Sequence, residues 1–217
     1  MAPSGSRRRN PRGEGSRLRA QLLAAAAEVL DEVGDAANVS VRAIARRAGV
    51  SPTALYLQFP DRDALVAATV DAGFAAFNAA LLAAAGEHDD PRAGLAAMGR
   101  AYLRFSAAQP ALYAVLFSAR RPVGPAEPQA VDRGESLDGL VALLRACVPE
   151  LDADAGREKA IDVWSALHGF AMLRTARSGL HRWPPDDEYA DRVLAAHLPA
   201  LRLDVTGRTT GDSRRKS

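Results

Sequence analysis

Between residues 40 and 62 the side chains have the types and spacing needed to hold a polyanion. Ser40, Arg42, Ser51, Thr53, Tyr56, Gln58 and Arg62 share one short stretch, SVRAIARRAGVSPTALYLQFPDR. Arg42, Tyr56, Gln58 and Arg62 are residue types that contact phosphate oxygens. The Thr53 hydroxyl can bond donor or acceptor edges of bases, and its methyl can touch a thymine methyl. Pro52 and Ala54 beside it are small, so a backbone there can approach a groove closely. Helix starts at Ser40 and Ser51 would add free amides for phosphate oxygens. The chemistry this stretch suggests is the reading and holding of duplex DNA.

A second set is apolar with a few polar handles, the composition of a small-molecule pocket. It comprises Met98, Tyr102, Phe105, Tyr113, Phe117, Trp164, His168 and Met172. Each residue taken alone also suits a structural core. Tyr102, Tyr113, Trp164 and His168 could supply the handles. Reaction chemistry is not evident. His88, His168, His181 and His197 include no pair at i, i+3 or i+4, which argues against a helical metal pair. There is no Gly-x-Ser-x-Gly elbow and no phosphate loop. We expect no catalytic residues, no metal and no cofactor, hence a protein that binds without transforming.

A third set is small. Ser165, Gly169, Met172 and Ala176 fall on one helical stripe. Gly in mid-helix costs about 1 kcal/mol relative to Ala. Small residues there would admit another helix, either within the subunit or across a two-fold axis together with Val193, His197 and Leu201 of the last helix. The dimer is the expectation adopted, because a palindromic site needs two copies.

The elements that must position these sets are all helical. Leu18, Leu22, Ala26, Val29, Leu30 and Val33 recur at helical spacing from Arg17, and Gly34 is a stop. Val41, Ile44, Ala45 and Ala48 make one face of a two-turn helix that Ser40 can cap. Gly49 then suits a left-handed turn, Ser51 caps the next helix, and Pro52 occupies its first position. Helix, glycine turn and capped helix form the helix-turn-helix pattern, whose second helix enters the major groove. A long helix over 61–85 carries two apolar stripes, so it is buried or bridges two packing units. Further helices open at Pro91 and Pro110, surround Leu137–Leu144, run from an Asp154 cap to Ser178, and follow Pro185. Residues 120–134, rich in Pro and Gly, read as a mobile loop. No segment alternates with period two, so the fold class is all-α with about nine helices.

Composition sets the bounds. The 217 residues are 48% apolar and 25% charged, which is ordinary globular usage. One cysteine, Cys147, excludes a disulfide framework. No apolar run is expected to reach the roughly 18 residues of a bilayer span, and the expectation is a cytoplasmic protein with no membrane partner. The net charge of +2 divides unevenly: +4 over 1–60, −5 over 61–204 and +3 over 205–217. A basic end on an acidic body suits a polyanion partner. The expected organisation is a disordered basic arm over 1–16, a helix-turn-helix domain over 17–60, a ligand-binding and dimerisation domain over 61–204, and a disordered basic tail over 205–217.

The stretch resembles the TetR-type transcriptional regulators. The resemblance rests on Ile44-Ala45, Ala48-Gly49-Val50-Ser51, Leu55-Tyr56, Phe59 and apolar Leu65 after charged Arg62. It covers about fifty residues. Arg62 stands where Lys or another basic residue is usual, and Gln58 where His or Tyr is frequent. Two further runs, Pro110-Ala-Leu-Tyr113 with Leu116-Phe117 and Trp164-Ser-Ala-Leu-His168-Gly169, resemble a subgroup with Trp and His-Gly in its eighth helix. The resemblance implies nine or ten helices, DNA binding as a homodimer, and a ligand pocket in the C-terminal part. The function expected is a repressor released from a palindromic operator by a small, largely apolar effector. The alternative is a helical small-molecule carrier or enzyme with a vestigial helix-turn-helix. Salt-dependent binding to a duplex separates the two.

Overall fold

A computed structural model describes residues 14–117, 134–177, 179 and 182–198. The expected N-terminal arm up to residue 13, the loop over 120–133, Leu201 and the C-terminal tail lie outside the described residues. Among the described residues there are nine α-helices and one short 3-10 turn, with no strand. The helices are α1 (Glu14–Val33), α2 (Val41–Arg47), α3 (Pro52–Tyr56), α4 (Arg62–Gly86), α5 (Pro91–Ala108), α6 (Pro110–Leu116), α7 (Glu135–Cys147), α8 (Ala153–Ala176) and α9 (Asp186–His197).

The chain packs as two compact units. The first holds the described part of residues 1–77 together with that of 109–133. The second holds 78–108 and the described part of 134–217. This differs from the division expected at residue 61. The first four turns of α4, and all of α6, pack with the helix-turn-helix.

In the first unit, Leu22, Ala26, Val29 and Leu30 of α1 are buried, as their spacing predicts. Helix α1 starts at Glu14, three residues before the expected start. Gly34 ends it with φ +76°, a left-handed backbone that glycine adopts without penalty. Asp35 then caps the 3-10 turn Ala36–Asn38, which the periodicity did not predict because it buries nothing. Helix α6 is tied to α1 by Asp31, whose carboxylate accepts from the amides of Ala111 (3.0 Å) and Leu112 (3.3 Å). Those amides have no partner inside their own helix, and the helix dipole favours the negative charge. Helix α6 also approaches α4 closely at Gly73, where a Cβ would lie 2.9 Å from Leu116 Cδ2.

In the second unit, α5, α7, α8 and α9 surround an apolar core that includes Leu95, Leu103, Leu140, Leu144, Val163, Leu167 and Leu194. The cap of α8 is Asp152, which accepts from Ala155 N at 2.8 Å; Asp154, the expected cap, lies in the first turn. Helix α9 is held by arginine–aspartate pairs. Arg100 of α5 grips Asp191 with two hydrogen bonds, 3.0 and 2.6 Å, and the pairing raises its pKa. Arg174 of α8 binds Asp186 and also donates to Ser106 Oγ at 2.9 Å.

Helix α4 is long and apolar enough to cross a bilayer by length and composition, unlike the expectation that no stretch is. Asp71 and Asn78 interrupt its apolar run, so counting uninterrupted residues misses it. More than half of its apolar window is buried in the protein, as in the core helix of a folded domain.

Candidate nucleic-acid interface

The helix-turn-helix is built as its glycine and caps require. Helix α2 ends at Ala48, and Gly49 follows at φ +66°. Gly49 N donates to Arg46 O (3.1 Å) and Val50 N to Ala45 O (2.9 Å), the paired bonds of a Schellman stop. Ser51 Oγ then accepts from Ala54 N at 3.1 Å and starts α3, with Pro52 in the first turn. Ile44 and Leu55 are fully buried and Phe59 nearly so, with the Arg19 guanidinium 4.4 Å from the Phe59 ring centre. Gln21 Nε2 donates to Ala48 O at 2.7 Å and fixes the turn against α1. Arg47 pairs with Glu28 (2.8 Å) and Glu32 (2.6 Å) of α1.

This scaffold leaves one surface exposed. Ser51, Pro52 and Thr53 are exposed and Ala54 is half-buried. Tyr56 is 52% exposed and Leu57 79% exposed. Ser40 stands at the α2 cap position, but its side chain makes no cap bond, contrary to the expected role. Arg42 is exposed and Gln58 half-buried. Arg46, one turn after Arg42 and also exposed, was missed by the sequence reading. Its i+4 spacing from Arg42 was the available signal. Leu57 was missed because an apolar residue near a helix end reads as core.

Arg62 is placed differently from the expectation. Its guanidinium donates to Val39 O (2.9 Å), to Ala36 O and to Asp63 Oδ1 (2.9 Å). It ties the start of α4 to the segment before α2.

The expected pocket residues divide between the two units. Tyr113 and Phe117 belong to the first, in an aromatic cluster with Phe74 and Phe77 at centroid distances of 4.9 to 6.5 Å. Tyr113 is fully buried there and Phe117 half-buried, and neither lines the cavity in the second. That cavity is walled by Met98, Tyr102 and Trp164 of the expected set, and by Leu95, Ser136, Leu140 and Leu167, among others. Tyr102 and Trp164 meet edge to face at 5.3 Å. Tyr102 Oη lies 3.3 Å from His168 Nδ1, so His168 stands behind the wall. Burial pushes the His168 pKa below its ordinary 6.5, which keeps the ring neutral at pH 7. Phe105 and Met172 are half-buried and do not line this cavity. Among the described residues no cluster of His, Cys, Asp and Glu is placed to hold a metal ion.

On α8, Ser165 and Ala176 are exposed, and Gly169 and Met172 half-buried. A Cβ on Gly169 would meet nothing within 4 Å. Close packing inside the subunit therefore does not explain this glycine. Ile161 (49% exposed) and Leu173 (57%) widen the open face. Val193, expected on the same interface, is 7% exposed. It sits on the inner side of α9, which packs against α5 and α8. His197 is half-buried.

The three-helix unit and its exposed α3 define a helix-turn-helix DNA-binding protein. Comparison with known proteins carries the assignment further. Residues 22–69 match the family described as bacterial regulatory proteins, tetR family. Residues 95–197 match the tetracyclin repressor-like C-terminal domain. The chain belongs to the TetR family and is a ligand-responsive DNA-binding transcriptional regulator. Among curated proteins none matches it. A solved protein of unknown function from Rhodococcus sp. RHA1 is 31% identical, with TM-score 0.70, covering 89% of this chain and 99% of that one. A TetR-like transcriptional regulator from the same organism is 26% identical, with TM-score 0.60 and coverage of 89% and 98%. The regulator FadR from Bacillus subtilis, solved with stearoyl-CoA, is 16% identical, with TM-score 0.62 and coverage of 84% and 98%, and shows the fold alone.

Proposed function

We propose that two copies of this chain hold a palindromic operator and release it when a small, largely apolar molecule binds the second unit. The observation that carries the DNA contact is the exposed α3 surface. Thr53 is exposed at its start, and Tyr56 and Leu57 project near its end. In this reading Thr53 reads base edges. Arg42, Arg46, Tyr56, Gln58 and Ser40 hold phosphates, with the α3 start at Ser51, Pro52 and Ala54 close to the groove. An exposed leucine on a polar surface also suits a thymine methyl or a sugar.

The dimer is supported by the open face of α8. Ile161, Ser165, Gly169, Leu173 and Ala176 offer small and apolar groups, and the glycine leaves room for a close partner. Helix α4 supplies residues to each unit, so a ligand that shifts it changes the spacing of two α3 helices. Those helices must stand roughly 34 Å apart to enter successive major grooves. A hundredfold loss of affinity needs only about 2.7 kcal/mol of coupling. The reading places the protein in the cytoplasm with its DNA.

The test is selection of a duplex from random sequence, followed by titration at several salt concentrations. A two-fold symmetric preferred site and a strongly negative salt slope are expected. A salt-independent or sequence-blind interaction would return the chain to the carrier reading.

A further inference from the structure

The cavity of the second unit contains one feature that an apolar core does not require. Ser136, in the first turn of α7, is fully buried on the cavity wall, and its Oγ has no hydrogen-bond partner. It occupies the face that continues as Leu140 and Leu144, both buried. An alanine would suit that position by packing alone. A buried hydroxyl left without a partner is destabilising, so its presence calls for a partner that arrives.

The remainder of the wall restricts what that partner can be. Among the described residues no Arg, Lys, Asp, Glu or His lines the cavity, and the other lining residues are Leu, Met, Val, Gly, Tyr and Trp. The Tyr102 hydroxyl is engaged with His168. A carboxylate or phosphate placed here would be buried without a countercharge, at a large desolvation cost. The cavity is nearly closed, about 10 Å³, far smaller than an open ligand pocket. A ligand must therefore open the site as it enters, and a compact one asks for the smallest opening.

We infer that the effector is a compact, uncharged, mainly apolar molecule bearing one hydroxyl or carbonyl, and that Ser136 Oγ is the group that selects it. The inference rests on the ligand-responsive reading and narrows it. It separates this chain from a relative whose ligand carries phosphates.

Three probes of one size separate the chemistries: toluene, benzyl alcohol and benzoate. Binding is read by the melting temperature of the full-length protein and by tryptophan fluorescence, since Trp164 lies on the wall. Benzyl alcohol should bind about five- to tenfold more tightly than toluene, the worth of one net hydrogen bond. Benzoate should not bind. Ser136→Ala should abolish the preference for the alcohol while toluene binding is kept. The same variant without ligand should melt no lower than the parent, because it removes an unsatisfied hydroxyl; this shows that the fold survives. Benzoate binding as tightly as benzyl alcohol, an unchanged preference in Ser136→Ala, or no binding of any probe overturns the inference. Duplex binding is measured on the same preparation. A protein that binds duplex but follows none of the expected probe order keeps the regulator reading and loses only this one. A protein that ignores duplex loses the regulator reading, and the probe series still decides the cavity's chemistry.

Discussion

Single side chains separate reading from holding. Thr53 is exposed at the start of α3, so Thr53→Ala should relax base preference while leaving the salt slope unchanged. Arg42→Ala should weaken all duplexes alike and make the slope shallower by about one. Arg62→Ala should behave otherwise, because its guanidinium holds the Val39 and Ala36 carbonyls. Its loss should cost roughly 1–3 kcal/mol of stability, about 2–10 °C in melting temperature for a chain this long. A melting curve beside a salt titration distinguishes the two arginines, and an Arg62→Ala protein of unchanged stability would return this residue to the phosphates. His168 gives a pH test. Burial lowers its folded pKa below 6.5, so below that pH the unfolded chain takes up a proton that the folded one resists. The stability it contributes is complete above pH 6.5 and is lost as pH falls through the folded value. The melting temperature should therefore drop between pH 7.5 and 5.5, and less so in His168→Gln; equal slopes would remove His168 as the cause. The types of these residues were legible in the sequence. Their partners were not: nothing in the spacing of Arg62 reveals two backbone carbonyls more than twenty residues away.

At the level of elements, local grammar carried far. Gly34, Gly49, Ser51 and Pro52 sit where turn and cap chemistry places them. Periodicity gave each helix its apolar face without saying what that face meets. Tyr113 and Phe117 fit a pocket by their spacing, and in the structure they join the aromatic cluster of the first unit, while Val193, which fits a dimer face, packs inward. Ser136 was passed over because a serine in an apolar register reads as a helix start. Two tests belong here. Asp31→Ala removes the acceptor of two α6 amides and should cost roughly 1–2 kcal/mol, by analogy with loss of an N-cap. The fall in melting temperature measures it, and no change would show that water replaces the carboxylate. Gly169→Leu meets open space in the single chain, so its helix content should be kept. Across a two-fold axis the same leucine appears twice at one contact, and overpacking typically costs 1–3 kcal/mol per site. Sedimentation should show a shift to monomer with an unchanged circular dichroism spectrum. A variant that remains fully dimeric would move the interface off this face.

For the whole molecule, the division of charge was legible at once, while the division of packing was not. The packing divides elsewhere than at residue 61, because α6 returns to the first unit, a long-range pairing for which local spacing gives no sign. The charge division leads to a test of the N-terminal residues. Arg7, Arg8, Arg9 and Arg12 precede α1, which begins at Glu14, so removing residues 1–13 leaves every described element intact. Four arginines against five acidic residues in the first 60 positions supply much of the local positive balance; the other five are Arg17, Arg19, Arg42, Arg46 and Arg47. Arg47 is already paired to two glutamates. Each arginine of the removed segment that meets a phosphate releases a counterion and adds about 0.9 to the salt slope. Flexible basic arms make such contacts in the minor groove as well as along the backbone. The shortened chain should therefore bind the selected duplex more weakly at low salt, with a shallower slope, and the two proteins should converge as salt rises. Base preference set by Thr53 should be the same in both. Equal affinity at every salt concentration would leave the DNA contacts entirely to α2 and α3.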